Sequence, residues 1–71
     1  MITINEITRG SGGSFLIAGS DHEAVRLKAE AIRKSIDFMR SPTIIETVQN
    51  TGELLCEVKY YGLDWSINVR S

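Results

Sequence analysis

From Ser20 to Arg40 apolar residues recur at three- and four-residue spacing, and this one segment constrains the chain more than any other. At ~100° per residue, Val25, Ala29, Ile32, Ile36 and Met39 form one stripe and Ala24, Leu27, Ala31 and Phe38 an adjoining one, covering together about 200° of the helix circumference. A helix lying on a single sheet usually needs a stripe of at least about 100°. Between the two stripes sit Lys28 and Ser35. Two arrangements accommodate the excess. A small sheet can curl around the helix and bury both stripes, with Lys28 laying its methylenes over apolar surface. Alternatively one stripe covers the sheet and the other meets a partner, such as the same helix of a second chain.

The ends of this helix are marked. Ser20 and Glu23 have the S-x-x-E spacing of a capping box, and Asp21 and Glu23 suit the positive end of the helix dipole. Lys34 and Arg40 suit the negative end, Glu30 and Lys34 are spaced for an i,i+4 pair, and Pro42 stops the helix.

The flanking segments read as strands. Ile2 to Thr8 alternates, with a parity break at Ile7 that predicts a bulge or strand end near Asn5–Glu6. Arg9-Gly10-Ser11-Gly12-Gly13-Ser14 reads as a hairpin tip leading into a second strand, Phe15 to Ala18. After the helix, Thr43 to Gln49 is rich in β-branched residues and Asn50-Thr51-Gly52 forms a turn. Leu54, Cys56, Val58 and Tyr60 then alternate against Leu55, Glu57, Lys59 and Tyr61, and Trp65, Ile67 and Val69 alternate in a last strand, completing a three-stranded meander. The expected architecture is a single α+β domain over residues 1–71, in the order β-β-α-β-β-β, with one helix packed on an antiparallel or mixed sheet.

Glu46 breaks the apolar parity of Ile44 and Val48. If that parity faces the helix, the carboxylate needs a partner, and Lys28 is the expected one. If Ile45 and Thr47 face inward instead, Glu46 points to water.

Composition narrows the function classes. Seventy-one residues, 42% of them apolar and 24% charged, build one small core and exclude a multidomain enzyme. A net charge of −1 gives no general field for nucleic acid or an anionic membrane. The first residues, MITINEITRG, lack the basic start and apolar stretch of a secretory signal, the single cysteine forms no internal disulfide, and a cytoplasmic location is expected. The longest apolar run, Phe15 to Ala18, is too short to span a membrane.

No catalytic constellation stands out. His22 is the only histidine and falls in the helix's first turn, Cys56 shares the parity of the core residues Leu54 and Val58, and no C-x-x-C or H-x-x-x-H spacing occurs. Neither enzymatic activity nor a cofactor or metal is expected. The glycine tract can cradle an anion with Arg9 beside it, although it lacks the G-K-[ST] ending of a P-loop.

Phe15-x-Ile17-x-Gly19, followed by Glu23, Val25, Ala29 and Ile32, resembles the closing strand and helix of KH-type RNA-binding domains, with Gly10 to Gly13 fitting their G-x-x-G loop. In that family the loop joins two helices, whereas here only nine residues precede it, so no RNA contact is carried over.

The expected function is therefore a non-catalytic protein-interaction module, homodimeric, of the small accessory or regulatory kind. Its candidate interface comprises Leu27, Lys28, Ala31 and Phe38 on the helix, with Leu55 and Tyr61 on the outer sheet face. The alternative is a nucleic-acid or nucleotide-binding module that uses Arg9, Gly10, Ser11, Gly12 and Gly13, assisted by Arg26 and Arg33.

Overall fold

A computed structural model describes residues 1–9 and 12–62 of the chain. Strands β1 (Ile2–Arg9) and β2 (Gly12–Gly19) are followed by helix α1 (His22–Ser35), a short 3-10 turn (Phe38–Arg40), and strands β3 (Thr43–Val48) and β4 (Leu54–Tyr61). All strand pairs are antiparallel and the sheet order is β1-β2-β4-β3. This is the expected α+β architecture, one helix on one face of an antiparallel sheet. The expected last strand, Trp65 to Val69, lies outside the described residues.

Several local expectations need correction. The β1–β2 register runs unbroken from Ile2↔Gly19 to Arg9↔Gly12, so there is no bulge near Asn5. β4 has β2 on one side and β3 on the other, so both its edges are occupied, which departs from the expected three-stranded meander centred on it. The helix starts one residue later than expected: Asp21 is the N-cap, its Oδ1 accepting from the Ala24 N–H at 3.2 Å. With Asp21 as cap, Glu23 falls too early in the first turn to close a capping box.

The helix also stops short of Arg40. Ser35 Oγ donates to the Ile32 carbonyl at 2.7 Å, Ile36 is extended, and Asp37 accepts from the Met39 N–H at 3.0 Å to start a separate turn. Ser and Asp side chains offer the backbone these local alternatives to a continuing helix. Ser41, at φ 53°, then turns the chain into Pro42 and β3.

The register sorts the two faces of the sheet. Ile2 and Ile4 on β1, Phe15 and Ile17 on β2, Ile44 and Glu46 on β3, and Leu54, Cys56, Val58 and Tyr60 on β4 share one parity. The helix lies over this face, mainly across β4 and β2 and only slightly on β3. The core is the cluster of Ile17, Val25, Ala29, Leu54, Cys56 and Val58, all fully buried, with Ile2, Phe15, Ile32, Ile36 and Ile44 packed around it. Phe15 and Tyr60 close one end of the core at a ring separation of 5.9 Å, and the Arg40 guanidinium lies over the Tyr60 ring.

Candidate functional site

The two stripes of α1 meet different surroundings. Val25 and Ala29 of the first are fully buried against the sheet, and Ile32 and Ile36 are half-buried. In the second, Leu27 is 67% exposed and Ala31 is exposed, so the described strands do not curl round the helix to bury both. At ~100° per residue, the centres of the two stripes stand about 140° apart. The second therefore points largely away from the sheet, on the β1 side, because the opposite flank carries Arg26, Glu30 and Arg33, and Arg26 reaches β3.

Beside this stripe lies an open trough of about 550 Å³ lined by Ile2, Ile4, Ala24, Leu27, Lys28 and Ala31. Its floor exists because the helix covers the middle strands and leaves β1's Ile4 44% exposed. Three expected interface residues, Leu27, Lys28 and Ala31, thus come together. Phe38, 83% exposed, sits in the 3-10 turn beyond the end of the helix. Leu55 and Tyr61 lie on the sheet's opposite face, half-buried and exposed, where Ile7, Leu16 and Ile45 share their parity. Ile2 and Ile4 were not among the expected interface residues. Their alternation marks them as inward, but which strands the helix leaves bare depends on strand order.

Glu46 does face the helix, but its partner is not Lys28. Arg26 Nε and Nη2 donate to its two carboxylate oxygens at 3.0 and 3.3 Å, and this raises the Arg26 pKa through the hydrogen bond and then the charge. Arg26 lies on the β3 side of α1 while Lys28 lines the trough on the β1 side, which explains the exchange. Glu30 likewise accepts from Arg33, one residue nearer than the expected Lys34, and the bond holds its carboxyl below the usual range. Both basic helix residues considered for a nucleic-acid interface are thus engaged by carboxylates.

The glycine tract is only partly within view, since Gly10 and Ser11 lie outside the described residues. Gly12 and Gly13 are strand residues. Gly12 has φ +144°, and a Cβ there would lie 2.2 Å from the Tyr60 carbonyl oxygen; at Gly13 it would lie 2.5 Å from that of Ile7. Close approach of neighbouring strands accounts for glycine at both positions.

His22 bridges the helix to the β3–β4 turn. Its Nε2 lies 2.7 Å from the Gly52 carbonyl, which only accepts, so Nε2 carries the proton. Cys56 is fully buried, and burial pushes its thiol pKa up. A protonated, buried thiol is a poor nucleophile. No helix among the described residues is long and apolar enough to cross a membrane.

Comparison with protein-family models, with curated proteins and with solved structures found no match to this chain.

Proposed function

We propose that this protein is a non-catalytic interaction module that works as a homodimer, with the outward stripe of α1 and the adjoining trough as its contact surface. The observation that carries the reading is Leu27: a large aliphatic side chain at mid-helix, 67% exposed, flanked by the small residues Ala24 and Ala31 and by the exposed Ile4. Leu27 does not stand alone, because Ala24, Ala31 and Ile4 extend it into an apolar strip bordered by Lys28, and contiguous apolar surface is what a docking face uses. Size supports a self-contact in particular. At about 0.05–0.15 kcal/mol per residue, a domain of 71 residues nets on the order of 4–10 kcal/mol, and burial against a second copy is a common way to reinforce so small a core.

Size-exclusion chromatography with light scattering at micromolar concentration tests the reading. The expected mass is twice the chain mass of 7.9 kDa, with melting that depends on concentration. A strict monomer whose melting is independent of concentration would remove the proposal.

A further inference from the structure

We infer that two copies dock through α1 in antiparallel orientation, about a two-fold axis beside Leu27; this rests on the homodimer reading above and specifies its geometry. The helix is electrostatically lopsided along its length. Asp21 and Glu23 occupy its N-terminal end, and Arg33 and Lys34 its C-terminal end. Among the described residues the ion pairs are Arg26–Glu46 and Arg33–Glu30, so Glu23 and Lys34 enter neither, and both are exposed.

Glu23 and Lys34 are eleven residues apart, which at ~100° per residue brings them within about 20° of each other around the axis, on the same border of the Leu27 stripe. Their midpoint falls between Lys28 and Ala29, at 28.5 in sequence; the midpoint of the small residues Ala24 and Ala31 falls between Leu27 and Lys28, at 27.5. At about 1.5 Å of rise per residue, the two points nearly coincide. A single two-fold axis there sets Ala24 against Ala31 of the second copy, Leu27 near Leu27, and Glu23 opposite Lys34, twice over. Small residues at both flanks let the helices approach closely around the central leucines. A parallel arrangement would instead stack Glu23 on Glu23 and Lys34 on Lys34, and would align the two helix dipoles unfavourably. Lys28 lies beside the axis in either orientation, so it is the Glu23–Lys34 contacts and the flanking alanines that select the antiparallel one.

Two measurements test this. Ala24→Cys and Ala31→Cys proteins, oxidised separately and as an equal mixture, should form a disulfide-linked dimer only in the mixture, because only that pair is brought within disulfide reach. Native Cys56 is buried and does not compete. Lys34→Glu should weaken self-association by about tenfold, and the exchanged pair Glu23→Lys with Lys34→Glu should restore it. Circular dichroism reports whether each variant keeps its helix. A wild-type dimer in which Ala24→Cys links to itself, or in which the mixture does not cross-link, overturns the antiparallel geometry while leaving the homodimer reading standing. A wild-type monomer overturns both. A monomer whose Trp65 emission shifts on Leu27→Lys overturns both in favour of the chain's own residues 63–71 as the occupant of the trough.

Discussion

Ile17 and Leu27 are aliphatic residues of equal size with opposite surroundings, and substitution should separate them. Ile17 is fully buried on β2 under α1, beside Cys56 of β4, so Ile17→Ala should cost about 2–5 kcal/mol of folding stability, measured by urea denaturation. Leu27→Ala should leave the folding of one chain nearly unchanged and weaken self-association instead. Cys56 makes a third test. Because burial raises its thiol pKa above the ordinary value, its contribution is intact below that value and is lost as pH rises through it, when the unfolded chain alone releases the proton. Stability should therefore fall at alkaline pH in the wild type and fall less in Cys56→Ala; equal slopes would contradict this assignment. The burial of Cys56 was legible from its parity with Leu54 and Val58. The partner of Glu46 was not, because Arg26 and Lys28 are two residues apart on the helix, and only the placement of β3 decides which of them reaches the carboxylate.

Among the elements, the β1–β2 hairpin and α1 carry the sharpest local constraints. Gly12→Ala should destabilise the fold by more than about 1 kcal/mol, since its backbone has φ +144° and the Cβ would collide with the Tyr60 carbonyl. Thermal melting checks this, and a neutral result would mean that the hairpin end is free to rearrange. The existence and order of α1 and the four described strands were readable from alternation and helical spacing. Their limits were less so: Ser20 and Asp21 are both good caps, and Ser35 with Asp37 ends the helix well before Pro42. These choices depend on side chain to backbone bonds that differ little in energy. Strand order was not legible at all. A meander is the default for consecutive strands, yet β2 lies beside β4, a long-range pairing that the sequence pattern does not encode.

At the largest scale, one helix covers only part of the sheet beneath it. α1 spans the middle of a four-stranded sheet and leaves Ile4 on the β1 side exposed, while its own second stripe faces away from the sheet. Of the two arrangements that suit the over-wide apolar arc, burial of both stripes within the described strands is not the one seen, because Leu27 is exposed. The solution mass of Leu27→Lys beside the wild type, at the same micromolar concentration, tests the dimer surface most directly. Twice 7.9 kDa is expected for the wild type and 7.9 kDa for a variant that remains folded by circular dichroism. A variant that keeps the wild-type dimer mass would contradict this, because two chains would then be held together by some surface other than this stripe.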